Sequence, residues 1–111
     1  MNTPVAVERS VRPHHDLPEV TLTLLRGAIE GQRADAIARL EAHAADSGLA
    51  HTIVERSREL VDLCDDALTR FELGTYGRCV GCDTGIPIDR LEAIPYTPTC
   101  VSCSAHRGST A

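Results

Sequence analysis

The sequence contains no lysine and no tryptophan, and its only aromatic residues are Phe71, Tyr76 and Tyr96. With so few large side chains among 111 residues, the hydrophobic core is small, and we expect another interaction to help hold the chain together. No apolar run approaches the ~20 residues that span a bilayer, and residues 1–16 lack the apolar segment of a signal peptide. We therefore expect a cytoplasmic protein that does not bind membranes.

Four of the five cysteines form two Cys-x2-Cys pairs, which are separated by seventeen residues. In a reducing cytosol, clustered cysteines are more often metal ligands or redox catalysts than disulfides. Two short pairs are typical of a tetrahedral zinc site, in which four thiolates fill every coordination position and leave none for a substrate. The sequence therefore predicts one structural Zn²⁺, with the ligands Cys79, Cys82, Cys100 and Cys103.

The charge of the chain is acidic, since sixteen Asp and Glu residues outnumber eleven arginines. A zinc ion with four thiolates adds about two further negative charges. Proteins that bind nucleic acid normally show a basic stripe, because neutralising phosphates and releasing counterions supplies most of the affinity. We therefore expect no sequence-specific DNA binding from the cysteine segment.

A dithiol redox centre is the alternative to zinc, but such proteins carry one cysteine pair at a helix start on a sheet. Here there are two pairs and little strand signal. The sequence shows neither a nucleophile with a paired base nor a phosphate-binding glycine loop, so we expect no enzymatic activity. The fifth cysteine, Cys64, lies between Val61 and Leu68 in an apolar seam, which predicts a buried and unreactive thiol.

Two helices are predicted before the cysteine segment. Apolar residues recur at steps of three and four from Glu19 onward, and this first helix is expected to stop near Ser47 and Gly48. In the second helix, Thr52 with Glu55 three residues later forms a capping box, and a heptad seam follows until Gly74. Because a short loop joins them, the two helices are expected to run antiparallel.

The predicted fold class is mainly α, an antiparallel helical hairpin (a short coiled coil) attached to a small C4 zinc-finger domain. Residues 1–18 are interpreted as a flexible N-terminal tail, because they contain three prolines and no sustained apolar period. Residues 19–73 form the hairpin, whose tip is expected near residues 46–51. Residues 74–111 form the zinc finger and a short C-terminal segment.

The residues around the cysteines carry a more specific signal. The pattern is Gly74-x-Tyr76-Gly77-x-Cys79-x2-Cys82, then Ile86, Arg90-Leu91-x-Ala93-x-Pro95 and Cys100-x2-Cys103. It closely resembles the C4 zinc finger of the DksA/TraR family of bacterial transcription regulators. One departure is Asp83, where the family usually has glycine, but Asp tolerates the left-handed conformation better than most residues.

The resemblance implies direct binding to RNA polymerase. Members of this family insert a helical hairpin into the secondary channel that leads to the polymerase active site, and they alter initiation at selected promoters, often with guanosine tetraphosphate. The zinc finger is a globular base in these proteins and does not read DNA. The resemblance therefore implies a transcription regulator linked to stress or to the stringent response, with zinc as its cofactor and RNA polymerase as its partner.

The hairpin tip departs from the family pattern, which has two Asp residues three positions apart followed by Ala. In this sequence His43 stands at the first Asp, so Asp46 is the remaining candidate carboxylate. Ser47 and Gly48 are its neighbours at the predicted polymerase contact. The alternative is that Asp46 is an ordinary polar residue near the end of a helix.

Two functions remain open. The first is a regulator that docks on RNA polymerase through the hairpin, with zinc holding the base. The second is a zinc-stabilised coiled-coil module without activity in the polymerase channel, whose seam serves a partner helix or a second copy of the chain. Gln32 and Arg33 interrupt the apolar face of the first helix, and this leaves a homodimer through the hairpin open.

Overall fold

The computed structural model describes residues 17–43 and 51–110, and the mainly α fold class is confirmed. Of the predicted tail, residues 1–16 lie outside the described residues. The helices are α1 (Glu19–Ala42), α2 (His51–Leu73), α3 (Ile88–Ala93) and α4 (Val101–Thr110). Between the described residues, strand-like pairing is limited to one isolated antiparallel bridge that joins Arg78 and Gly85. No helix in the described parts of the chain has the length and apolar character to cross a membrane.

The two long helices form the predicted antiparallel hairpin, as their polar cross-contacts show. Residues early in α1 contact residues late in α2, and residues late in α1 contact residues early in α2. The pairs are Arg26 with Glu72 (3.9 Å), Arg33 with Asp65, and Arg39 Nε with Ser57 Oγ (3.4 Å). The end of α1 at Ala42 and the start of α2 at His51 therefore lie at the opposite end of the hairpin from residue 74 and the zinc finger.

The seam between α1 and α2 buries small and medium-sized side chains. Ile29 of α1 and Cys64 and Ala67 of α2 are all 0% exposed. Burial first, and Asp65 second, raise the pKa of the Cys64 thiol, so this cysteine is the buried, unreactive residue that the heptad position predicted. Leu17, which the sequence assigned to the tail, also packs in this core and is 7% exposed.

Three helix boundaries show where local signals succeed and fail. At the end of α2, Gly74 has φ 78°, and the N–H groups of Gly74 and Thr75 donate to the carbonyls of Phe71 and Arg70 (3.2 and 2.8 Å). This is the glycine-closed helix end that the sequence predicted. In contrast, α1 ends at Ala42, about a turn before the predicted stop, because the His43 backbone leaves the helical region (φ −107°, ψ 16°).

The capping box predicted at the start of α2 is wrong in its position. The helix already contains His51, so Thr52 lies inside it and does not act as the N-cap. Thr52 and Glu55 have the spacing of a capping box, but His51, the residue before the threonine, is already helical.

The hairpin and the finger share one core. Leu25 and Ile29 of α1 pack in the same buried cluster as Tyr76, Ile86 and Leu91 of the finger. Tyr76 is 0% exposed, and its hydroxyl donates to the Pro95 carbonyl at 2.8 Å. Its ring stacks on Phe71 with centroids 4.0 Å apart, so the end of α2 and the start of the finger are joined directly.

Two glycines inside α1 weaken it, and their replacement tests this. Nothing lies within 4 Å of a Cβ placed at Gly27 or Gly31. We expect Gly27→Ala and Gly31→Ala each to raise the free energy of unfolding by about 1 kcal/mol, because alanine loses less backbone entropy in a helix. Thermal unfolding measures this as a rise of roughly 4 °C or more per variant.

The matched control is Gly74→Ala, because glycine there adopts φ 78°. An L side chain is strained in that conformation, so this variant is expected to lower the melting temperature. A lower melting temperature for both helical variants contradicts the prediction.

Candidate metal centre

The first cysteine pair lies in a tight turn closed by backbone hydrogen bonds. The N–H of Asp83 donates to the Cys79 carbonyl, and the N–H of Cys79 donates to the Thr84 carbonyl, both at 2.8 Å. Asp83 has φ 64°, the left-handed conformation that the sequence expected of it. The Arg78 guanidinium holds the Asp83 carboxylate with two hydrogen bonds of 2.9 and 2.8 Å, and this pairing lowers the pKa of Asp83.

The second pair spans the start of α4, and two arginines hold the loop before it. Arg90 of α3 donates to the Thr99 carbonyl at 2.8 Å and to the Thr97 hydroxyl at 3.3 Å. Arg70 of α2 reaches the Thr97 carbonyl at 3.5 Å. The two loops also contact each other, since the Val80 N–H donates to the Pro98 carbonyl at 2.9 Å. Side chains from α2 and α3 therefore position Cys100.

The structure brings the four predicted ligands together. Their Sγ atoms all lie within 4.8 Å of one another, and the Sγ atoms of Cys82 and Cys100 are 3.8 Å apart. A tetrahedron with Zn–S bonds of ~2.3 Å places its sulfurs about 3.8 Å apart, so the donor set and its spacing fit Zn²⁺. None of the five cysteines is in a disulfide. The site therefore fits one structural zinc ion, which these four cysteines would hold.

Backbone N–H groups point at the sulfurs, as the two-residue spacing predicted. The Gly81 N–H lies 3.3 Å from the Cys79 sulfur, and the Cys103 N–H lies 3.5 Å from the Cys100 sulfur. Burial opposes ionisation of Cys79, but backbone hydrogen bonds from Cys100, Cys82 and Gly81 outweigh it, and the pKa of Cys79 falls to about 6. These donors stabilise the thiolate that a metal ligand must become.

The four sulfurs differ in their exposure to solvent. Hydrogen bonds with the Cys79, Cys82 and Cys100 sulfurs raise the pKa of Cys103 to about 12. Cys79 is buried at 2% exposure, and Cys100 and Cys103 are half-buried, whereas Cys82 is exposed. The side of the metal centre at Cys82 therefore faces solvent.

Gly81 is a functional residue that sequence reasoning missed. A Cβ at this position would lie 3.0 Å from the Cys103 sulfur and 3.6 Å from the Cys79 sulfur. A side chain at this position would therefore force the Cys103 sulfur to move by a few tenths of an ångström. The glycine between two ligands was visible in the sequence, but its contact with the other cysteine pair is a tertiary feature.

For the short helix between the cysteine pairs, the capping chemistry of its side chain predicts Asp89 as the N-cap. Instead, α3 begins at Ile88 with Pro87 at the N-cap position and no side-chain cap. Asp89 instead lies in the first turn, where a carboxylate complements the helix dipole. The prediction failed because proline at this point already sets the extended backbone that precedes a helix.

The predicted tip residues Asp46, Ser47 and Gly48 lie outside the described residues. Their role at the tip stays a prediction. Among the described residues, the metal centre adjoins the C-terminal end of α2.

Residues 74–105 match the family model described as the prokaryotic dksA/traR C4-type zinc finger. These residues form a DksA/TraR-type zinc finger. The resemblance drawn from the sequence is confirmed over this part of the chain. The matched residues include the four clustered cysteines, Tyr76 and Gly81. A C4-type zinc finger is therefore consistent with the metal site that the cysteines form.

Curated relatives match the chain over shorter stretches. General stress protein 16O of Bacillus subtilis is 41% identical over 54 residues, which cover 49% of this chain and 33% of that protein. An uncharacterized protein of Aquifex aeolicus is 50% identical over 40 residues, which cover 36% of this chain and 28% of that protein. The chain therefore spans a third or less of these relatives.

A solved structure extends the likeness to the fold. The transcription factor DksA2 from Pseudomonas aeruginosa superposes with a TM-score of 0.67 and 22% identity, over 83% of this chain and 86% of that one. The match covers more of the chain than the DksA/TraR-type finger alone. The protein therefore has the fold of a DksA-like transcription factor, with a helical hairpin on a zinc-finger base.

The buried hydroxyl of Tyr76 predicts a specific loss of stability at high pH. Burial raises the pKa of Tyr76 to about 12, against an ordinary value of 10.0. Since the folded state holds this proton more tightly than the unfolded state, its contribution is complete below pH 10 and is lost as pH rises from about 10 to 12. We expect Tyr76→Phe to cost about 1 kcal/mol at neutral pH and to lack this decline.

Urea unfolding at a series of pH values from neutral upward measures this effect. The stability difference between wild type and Tyr76→Phe is expected to shrink above pH 10. Tyr96→Phe is the matched control, because it leaves the bond between Tyr76 and Pro95 intact and keeps the wild-type decline. Parallel curves for wild type and Tyr76→Phe count against the prediction.

The contact at Gly81 predicts that a single methyl group weakens zinc binding. We expect Gly81→Ala to lower zinc affinity about tenfold or more, because the added Cβ displaces a ligand sulfur. Competition with a chromophoric chelator measures the affinity. Gly27→Ala, which places a methyl group in open space on α1, is the control, and unchanged affinity in Gly81→Ala refutes the steric explanation.

Proposed function

We propose that this protein regulates transcription by binding RNA polymerase directly and inserting its helical hairpin into the secondary channel. The observation that carries the proposal is the combination of a DksA/TraR-type finger with the DksA-like fold over most of the chain. The zinc finger acts as the base that holds the hairpin. The protein is not an enzyme in this proposal, because its metal has four protein ligands and no position for a substrate.

The dimensions of the hairpin support this function. α1 has 24 residues and α2 has 23, which corresponds to about 35 Å at 1.5 Å per residue. The cross-contacts from Arg26 to Arg39 keep both helices in register along this length. The hairpin is thus a paired element whose far end, at Ala42 and His51, lies away from the finger.

The charge of the molecule supports a protein partner in preference to DNA. The net charge is −5, and in the finger Arg78 and Arg90 are occupied by Asp83 and by the loop before Cys100. They are therefore not presented as a phosphate-binding patch. The matched relative of B. subtilis is named a general stress protein, and the proposal includes a role for this chain under stress.

Co-purification tests the docking step. Immobilised protein is expected to retain purified RNA polymerase, and substitutions at Asp46, Ser47 or Gly48 are expected to weaken the retention. Removing a charged hydrogen-bonding group costs about 1.5 kcal/mol or more, which corresponds to about tenfold in affinity. Asp35→Asn is the matched control, since Asp35 is an exposed carboxylate on α1 within the described residues.

A run-off transcription assay tests the regulatory step. Wild type and Asp35→Asn are expected to change the product yield equally, whereas Asp46→Asn is expected to have about a tenfold weaker effect. If wild type neither retains polymerase nor changes transcription, the proposed function is wrong. Cross-linking that yields a homodimer without a polymerase subunit favours the coiled-coil interaction module instead.

A further inference from the structure

Cys82 is the least protected of the four zinc ligands. It is exposed, while Cys79 is buried and the other two cysteines are half-buried. Cys82 also lies in a stretch, residues 80–85, in which every residue is exposed to solvent. A solvent molecule or a chelator therefore reaches the metal most directly on the side of Cys82.

The Thr84 side chain contacts this exposed ligand. Its Oγ1 atom lies 3.0 Å from the Cys82 sulfur. A thiolate bound to zinc has no proton and only accepts hydrogen bonds, so the Thr84 hydroxyl is the donor in the metal-bound state. The Cys79 and Cys100 sulfurs receive backbone N–H groups, and the Thr84 backbone also hydrogen-bonds to Cys82. The hydroxyl contact at Cys82 is additional to that backbone contact, and a substitution can remove it alone.

The turn around Thr84 holds the backbone that carries its hydroxyl. The Thr84 carbonyl accepts the Cys79 N–H at 2.8 Å, and the preceding residue, Asp83, is held in the left-handed conformation. Arg78 clamps that residue through both carboxylate oxygens. Thr84 is thus anchored by backbone contacts that a change of its side chain leaves in place.

We propose that Thr84 is a positioning residue of the metal centre, whose hydroxyl holds Cys82 on the zinc ion and so sets how fast the site loses its metal. Outer-shell donors of this kind orient ligands and tune metal binding. On loss of the metal, the Cys82 thiolate that would have held it would take up a proton from solvent, and no oxidant or reductant is required.

Zinc transfer from the purified protein to the chromophoric chelator 4-(2-pyridylazo)resorcinol tests the proposal. Thr84→Val, which keeps the branched shape without the hydroxyl, is expected to release zinc about tenfold faster than wild type. Thr84→Ser keeps the hydroxyl and is expected to release zinc at close to the wild-type rate. Thr84→Ala is a second hydroxyl-free variant, and Thr69→Val, at an exposed threonine on α2, is the control for the chemical change alone.

Cobalt substitution gives a readout that a purely structural role does not move. Removing a hydrogen bond raises the energy of the sulfur lone pairs, so the sulfur-to-Co²⁺ charge-transfer band of Thr84→Val is expected at longer wavelength than in wild type and Thr84→Ser. Wild-type release rates in both hydroxyl-free variants overturn the proposal. It is equally overturned if Thr84→Ser releases zinc as fast as Thr84→Val, or if the cobalt band does not move.

Discussion

Four sulfur atoms from two separate loops must meet around one metal ion, and the finger is organised around this requirement. Asp83 adopts the left-handed conformation, Gly81 leaves room for Cys103, and Arg90 braces the loop before Cys100. The apolar core of the finger is small, with Tyr76, Ile86 and Leu91 as its largest buried side chains. Because so few residues are buried, binding of the metal supplies folding free energy that the core lacks.

An aromatic contact joins the finger to the two helices of the hairpin. Phe71 at the end of α2 stacks on Tyr76, and the Arg26 guanidinium of α1 lies 5.7 Å from the Phe71 ring centroid. Three elements therefore meet at one aromatic pair. Beyond the joint, partly exposed polar pairs such as Arg33 with Asp65 add little stability but are compatible with only one register of the seam.

Much of this architecture was predictable because its causes are local. Two Cys-x2-Cys pairs specify a tetrahedral site, a glycine after the last apolar turn specifies the end of α2, and heptad spacing specifies a buried Cys64. The family resemblance also depends on short motifs between the cysteines. Predictions at helix starts were less accurate: Thr52 and Asp89 have good capping chemistry, yet both lie inside helices. Residues with capping side chains are common along the sequence. Such a residue caps a helix only if the residue before it is not already helical.

The sequence by itself thus determined the metal, the helix content and the antiparallel hairpin, since each follows from spacing along the chain. Only the tertiary structure decided which atoms surround the sulfurs and what joins the finger to the hairpin. Gly81 opposite Cys103, Thr84 beside Cys82, and Tyr76 between Phe71 and Pro95 each depend on where separate turns meet. Such contacts depend on distances in space, and periodicity along the chain does not encode them.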